Sequence, residues 1–226
     1  QVEALLSACS EVAEGKLADQ FPVDVFQTGS GTSSNMNINE VIANRADQLL
    51  GGELGSQKPV APNDDVNKSQ SSNDTFPTAM HLAALGALDS MLLPEMELLA
   101  EAIEAKAQGW MDVAKIGRTH LQDAVPLSVG QEWSAWAEAL RASIVDLGVA
   151  REGMMEIALG GTAVGTGLNA PEGFSEDVAK EIGRLTRLPI RTASNKFYAQ
   201  ATLDPTVRLS ASLRGVAVAL VKVGGL

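Results

Sequence analysis

Apolar residues recur at three- and four-residue steps along most of the chain, the spacing of helices that bury one stripe. Val2, Leu5, Leu6, Cys9, Val12 and Leu17 predict a first helix ending near the Phe21-Pro22 step. A polar, glycine-rich segment, QTGSGTSSNMN, precedes a second helix over roughly 39–50, stopped by Gly51 and Gly52, and the stretch from there to Pro62 reads as loop. Leu85, Leu88, Leu92, Met96, Leu99 and Ile103 predict one long helix, or two stacked helices divided at Pro94, because proline removes a backbone donor and crowds the preceding turn. Val129, Trp133, Trp136, Leu140, Ile144 and Leu147 mark a helix of about 30 residues, against a typical ~11 to 12. After the glycine-rich break LGGTAVGTGLNAPEG come an amphipathic helix over 175–187 and a last helix carrying Leu209, Leu213, Val216 and Leu220. Several long helices with spaced apolar stripes imply a bundle.

Composition narrows this further. The chain has 226 residues, 45% of them hydrophobic, enough for one or two domains with a sizeable core. Only 4% is aromatic, while Ala, Leu, Glu and Met recur, which favours helix because these side chains lose little entropy there. The expected fold class is all-α. A net charge of -11 and a pI near 4.6 argue against nucleic-acid or anionic-membrane partners, which need a basic field. The single cysteine, Cys9, has no internal partner, so nothing requires an oxidising compartment, and the sequons at Asn67 and Asn73 read as accidental. No basic region precedes an apolar stretch at the start, and the apolar run 215–226 is too short to span a bilayer and contains Lys222. The expectation is a soluble cytoplasmic protein. With no initiator Met and an opening already helical in pattern, the chain reads as a piece of something longer.

The candidate chemistry lies in the polar stretches. Ser71-Ser72-Asn73-Asp74, ahead of Pro77 and an apolar-periodic run, has the pattern of a helix start, where side-chain oxygens cap free backbone donors. The same geometry offers N–H groups and positive partial charge to an anion. Asn63, Asp65, Asn67 and Ser69 alternate as in a calcium loop, but Lys68 stands where Gly is needed and Asp74 where Glu is needed, so no metal site is expected. GGTAVGTG lacks the Gly-Lys-Ser/Thr of a nucleotide loop and reads as a tight turn. His81 lies in an apolar-periodic helix, where a structural role is the default. His120 follows Arg118 and Thr119 in a polar pre-helix loop closed by Pro126, where a ring that titrates near neutral pH serves as acid, base or scaffold.

GSGTSSNMN from Gly29, PNDDVNKSQSSND from Pro62, GRTHLQDAVPLSVGQE from Gly117 and LGGTAVGTGLN from Leu159 together resemble class II fumarase, within the aspartase/fumarase superfamily. The likeness runs through nearly the whole chain in the same order. Aspartase is the nearest rival, but Gly29-Ser30-Gly31-Thr32, Ser71-Ser72-Asn73 and Gly160-Gly161-Thr162 stand where aspartases typically read Gly-Ala-Gly-Thr, Ser-Thr-Asn and Gly-Ala-Thr.

The resemblance implies a long-helix bundle of the fumarase type, with residues 1–73 from the rear of an N-terminal domain and 74–226 from the front of the central bundle. It also implies reversible hydration of fumarate to (S)-malate through an aci-carboxylate, with no metal or organic cofactor. Carried over to this sequence, Ser30, Gly31, Thr32, Ser71, Ser72, Asn73 and Thr119 would bind the substrate carboxylates, His120 would orient or activate water, and Arg118 would hold its loop. The family's accessory dicarboxylate site centres on His-Pro-Asn-Asp. This chain reads Ala61-Pro62-Asn63-Asp64, so that site is expected weak or empty, with Lys58 as a compensating charge.

The family's Gly-Ser-Ser-x-Met-Pro-x-Lys-x-Asn-Pro loop occurs nowhere in the sequence. Family active sites draw their signature regions from different subunits of a homotetramer, so the polypeptide as given is expected to turn over little by itself. The alternatives are an aspartase-like ammonia-lyase and an inactive helical assembly fragment. The resemblance places the protein in the cytoplasm, or in the mitochondrial matrix of a eukaryote.

Overall fold

A computed structural model describes residues 1–225. The chain divides into two compact units, one formed by Gln1–Met80 with Glu156–Thr202, the other by His81–Met155 with the chain from Leu203.

In the first unit, helix α1 (Val2–Ala13) packs on α2 (Thr32–Leu49) through a core of Ala4, Ala8, Ile42, Ala43, Ala46 and Val60. The small side chains let the helices approach closely. Arg45 of α2 grips Glu11 of α1 with both its Nε, at 2.5 Å, and a terminal nitrogen, at 3.0 Å. α1 is shorter than its apolar pattern predicts, because Gly15 at φ +75° turns the chain before Leu17. α2 is longer: it starts at Thr32 and not near Asn39. Polar residues with weak helix propensity are held helical there by tertiary bonds, chiefly those of Asn35 to Ser72 and Thr75. The rest of the unit comprises the start of α3 (Ser72–Ala87), a two-residue parallel pairing of β3 (Glu156–Ile157) with β4 (Arg191–Thr192), and helices α6 (Phe174–Thr186) and α7 (Lys196–Ala201).

The second unit is a bundle of α4 (Leu93–Gly109), α5 (Val129–Met154) and α8 (Asp204–Gly224). Its core holds Met96, Ala100 and Ile103 of α4, Trp136, Leu140, Leu147 and Met154 of α5, and Leu209, Val216 and Ala219 of α8. Leu213 and Leu220, part of the apolar pattern of the last helix, stay exposed. Guanidinium groups tie the bundle together: Arg141 binds Glu104 at 2.7 and 2.9 Å and also reaches Glu97, and Arg151 binds both oxygens of Asp89 at 2.6 Å. Trp110 and Trp133 meet edge to face, centroids 4.8 Å apart. No break occurs at Pro94. A five-residue π-turn, Leu88–Leu92, joins α3 to α4, and this wider turn takes up the proline's missing donor without ending the helix.

The expectation of a pre-helix loop at GRTHLQDAVP is overturned. This stretch forms an antiparallel hairpin, β1 (Ala114–Thr119) with β2 (Gln122–Ser128), in a mostly helical fold. Gly117 sits at a bulge in the ladder, where a Cβ would lie 2.7 Å from the Val125 carbonyl oxygen. Pro126 is tolerated because each strand of a two-stranded ribbon has a free edge. Ser128 then starts α5 with a reciprocal capping box: its hydroxyl accepts from Gln131 N–H at 3.0 Å and its own N–H donates to the Gln131 side chain at 2.9 Å.

Among the described residues one helical stretch, Ser72–Gly109, is long and apolar enough to cross a membrane by length and composition. Its Asp89, Glu97 and Glu104 are engaged by arginines of α5, and Leu85, Leu88, Met96 and Ile103 are buried, as in a core helix of a folded bundle.

The tightest point of the bundle is Gly130, where an added Cβ would lie 2.3 Å from the Ala107 carbonyl and 2.7 Å from the Met111 sulfur. Gly130→Ala is expected to cost about 1–3 kcal/mol by overpacking. Urea denaturation followed by tryptophan fluorescence checks this, and an unchanged midpoint would show that α4 and α5 have room to spare.

Candidate functional site

The first unit gathers its polar motifs around one buried carboxylate. Asp74, fully buried, accepts Ser71 N–H on Oδ1 at 2.9 Å, and Gly160 N–H and Thr162 N–H on Oδ2 at 3.0 and 2.7 Å. The Ser71 side accounts for the helix start: Ser71 Oγ accepts Asn73 N–H at 3.3 Å while the Asp74 carboxylate reaches back to Ser71, closing a cap. The other side fastens the glycine-rich loop to the same turn. Thr78, one turn on, donates to the Asp74 carbonyl at 2.7 Å and accepts Leu159 N–H at 3.0 Å. Lys196 holds the loop from its carbonyls, donating to Ile157 at 3.0 Å, to Leu159 at 2.7 Å and to the Thr192 hydroxyl. An anion and a cation thus grip opposite poles of the backbone between Ile157 and Thr162.

Burial raises the pKa of Asp74 above its ordinary value, against the pull of its three backbone hydrogen bonds from Ser71, Thr162 and Gly160. Burial likewise lowers the pKa of Lys196, opposed by the charges of Asp74, Glu176 and Glu156.

The start of α2 is brought to the start of α3. Asn35 Nδ2 donates to Ser72 Oγ at 2.9 Å, and its Oδ1 accepts the Thr75 hydroxyl at 3.1 Å. Gly31, at φ +68°, lies where a Cβ would stand 2.1 Å from the ring of Phe76, so both backbone and packing require glycine. Ser30 Oγ lies 3.1 Å from Thr28 Oγ1 and 3.2 Å from Thr32 Oγ1, and all three residues are exposed. Gly31 has no side chain to cap α2, and Gln27 Oε1 instead accepts the first-turn Ser34 N–H at 3.2 Å.

An open cleft of about 580 Å³ is lined by Ser71, Ser72, Asn63, Asp64, Lys68 and Thr162, among others. Ser71 and Ser72 therefore share one cavity with the accessory pair Asn63–Asp64, whereas Ser30, Gly31 and Thr32 do not line it. Lys58 and the buried Pro62 do not line it, and Lys68 supplies the cation there. Asn63 Nδ2 donates to Asp64 Oδ1 at 3.2 Å, so each already has a partner. Asn73 faces a separate hollow of about 340 Å³ with Phe197 and Gln200. A slightly larger cleft of about 600 Å³, at Leu17, Pro22, Asn44 and Leu54, contains none of the candidate residues and offers little chemistry.

In the second unit, His120 and Leu121 form the two-residue turn of the β1–β2 hairpin, at φ +50° and +62°. This left-handed pair suits a two-residue hairpin turn; histidine is among the non-glycine residues enriched at positive φ, and Leu121 is the less usual occupant. Thr119 pairs with Gln122 beside the turn, and Arg118 meets Asp123 across it at 3.3 Å.

The sequence matches the Lyase_1 family, described as lyase, over residues 1–225. The chain belongs to the lyase family. Within it, the chain is similar to the class II fumarate hydratase of Methanosarcina acetivorans, 56% identical over 99% of this chain and 46% of that protein. It is 55% identical to the mitochondrial fumarate hydratase of Mus musculus, over 97% of this chain and 43% of that one. Among solved structures, a recombinant class II fumarase from Schistosoma mansoni superposes with a TM-score of 0.93 at 40% identity, over 99% of this chain and 50% of that one. A fumarate lyase:delta crystallin from Brucella melitensis gives 0.92 at 43% identity, over 99% and 48%. The chain spans less than half the length of the curated relatives it matches. These likenesses bear out the expected helical-bundle fold and the family resemblance read from the four motifs.

Sequence reasoning missed three residues of this lyase chain that organise its polar centre. Asp74 was visible only as part of a cap; its hold on a loop 86 and 88 residues away leaves no local signal. Thr162 lies in the glycine-rich stretch read as a tight turn, and Lys196 lies between the two helices predicted from the apolar pattern, in a segment without a motif.

Asp74→Asn replaces one acceptor by an NH₂ that confronts backbone N–H groups, so a loss of about 1–3 kcal/mol is expected. The pH response has a definite sign. Because the folded pKa is raised, the carboxyl's contribution to stability is full below its ordinary 3.8 and declines as pH rises through the folded value. Thermal melts across pH 3 to 7 should show that decline in the parent chain and a flatter profile in Asp74→Asn; parallel profiles would remove Asp74 as its source.

Proposed function

We propose that this chain is part of a class II fumarate hydratase, catalysing reversible hydration of fumarate to (S)-malate. The observation that carries the reading is the convergence, through Asn35, of the α2 start at Gly31–Thr32 with the α3 start at Ser71–Ser72, beside an open polar cleft. Two helix N-termini and a set of neutral hydroxyl and amide donors suit a dicarboxylate. The similarity to fumarate hydratases supplies the reaction.

In this reading Ser30, Gly31, Thr32, Ser71, Ser72, Asn73 and Thr119 bind the substrate's carboxylates. Loss of the proton next to a carboxylate gives an aci-carboxylate, whose growing negative charge needs preorganised donors more than a catalytic cation. His120 orients or activates the water from its exposed hairpin tip. Asn63 and Asp64 form a weak accessory dicarboxylate site in the shared cleft, and no metal or organic cofactor takes part. The domains divide at 73/74, and the working form is a homotetramer in the cytoplasm or the mitochondrial matrix. Exposed Val145 and Val149 on α5 and Val218 and Val221 on α8 support assembly, since such apolar faces favour burial against other copies.

The Gly-Ser-Ser-x-Met-Pro loop of the family is not in this sequence, so turnover requires a chain that carries it. Fumarate absorbance is expected to stay constant with the purified polypeptide and to fall when a loop-bearing chain is added. Robust turnover by the polypeptide alone would overturn the need for that loop, and none in either case would favour an assembly fragment. In the complemented mixture His120→Asn should slow turnover about 100-fold or more with substrate binding retained. An unchanged rate would reduce His120 to scaffold.

A further inference from the structure

Thr162 stands out once the clamp around Asp74 is described. It is 5% exposed, β-branched, and held at φ +56°, a region such residues avoid. Both its backbone groups are engaged, the N–H by Asp74 Oδ2 at 2.7 Å and the carbonyl by Gln200 Nε2 at 2.6 Å. Its side-chain hydroxyl is buried and has no hydrogen-bond partner among the described residues. An unpaired buried hydroxyl in a strained, fully anchored residue is costly, and glycine, which already occupies positions 160 and 161, would suit the backbone better. Thr162 also lines the cleft that holds Ser71 and Ser72, and shares the Asp74 carboxylate with Ser71.

We propose that Thr162 is a ligand-binding residue: its hydroxyl donates to a carboxylate held at the Ser71–Ser72 end of the cleft. This deepens the dicarboxylate reading and rests on it. The Asp74 and Lys196 clamps fix the loop in advance, so the donor is placed before the ligand arrives and little ordering is left for binding. A hydroxyl is the appropriate donor beside a buried carboxylate, because it adds no charge that would pair with Asp74 in place of the ligand.

The experiment is a titration of the ¹⁵N-labelled chain with fumarate and with succinate, following the amide signals of Ser72 and Thr162. Thr162→Val removes the hydroxyl at constant shape, Thr162→Ser keeps it, and Thr162→Gly removes it while suiting the backbone. Dicarboxylate affinity is expected to fall about ten-fold in the valine and glycine variants and to stay near the parent value in the serine variant. Equal affinity in the parent, serine, valine and glycine forms, with Ser72 still shifting, overturns the role of Thr162 alone. Absence of any shift at Ser72 in the parent chain overturns the dicarboxylate reading itself.

Discussion

The first unit depends on one buried carboxylate. Asp74 sits at the third position of its helix, where an acid ordinarily completes a cap and remains in water. Here it is fully buried, and its second oxygen serves the loop at Gly160 and Thr162. A charge in that position costs several kcal/mol unless it is hydrogen-bonded, so the helix start and the loop are interdependent: displace either and the carboxylate loses its donors. The raised pKa shows that burial still outweighs the compensation. The turn bearing Ser71, Ser72 and Asn73 is therefore fixed by long-range polar contacts more than by its own cap.

Much of the helical framework was legible because it obeys a local rule. The stripes from Met96 to Ile103 and from Trp136 to Leu147 are buried as their spacing requires, and glycine or proline marks most of the ends. The errors occur where tertiary contacts override local preference. Residues 32–38 are too polar to predict as helix, yet Asn35 is paired with the next helix and Gly31 is filled by Phe76. Pro94 follows a π-turn that no sequence rule signals.

The hairpin is a further case. Its turn carries His-Leu and not Asn-Gly, and Pro126 argues against a strand, so both local signals concealed the ladder. The candidate site was legible chiefly as motif. Ser71 and Ser72 fall in the cleft with Asn63 and Asp64, whereas Asn73 faces a different hollow and Lys58 is replaced as lining cation by Lys68. Spacing alone carries no information on which of two adjacent polar side chains enters a cavity, because that depends on how the helix start is rotated, and here Asp74 sets the rotation.

Net charge raises a last physical question, since a chain at -11 would attract a dianion only against its own field. At physiological ionic strength that field decays over roughly 8 Å, so the outcome is decided by groups within one such length of the cleft. Asp74 lies at the N-terminus of α3, where an uncompensated carboxylate would occupy the positive end of the helix in place of any ligand. Its three backbone donors and the nearby Lys196 ammonium absorb that charge internally. What remains toward the cleft is a set of neutral hydroxyls and amides with Lys68 set against the Asp64 carboxylate, a lining whose opposite charges offset each other on a protein whose surface as a whole repels an anion.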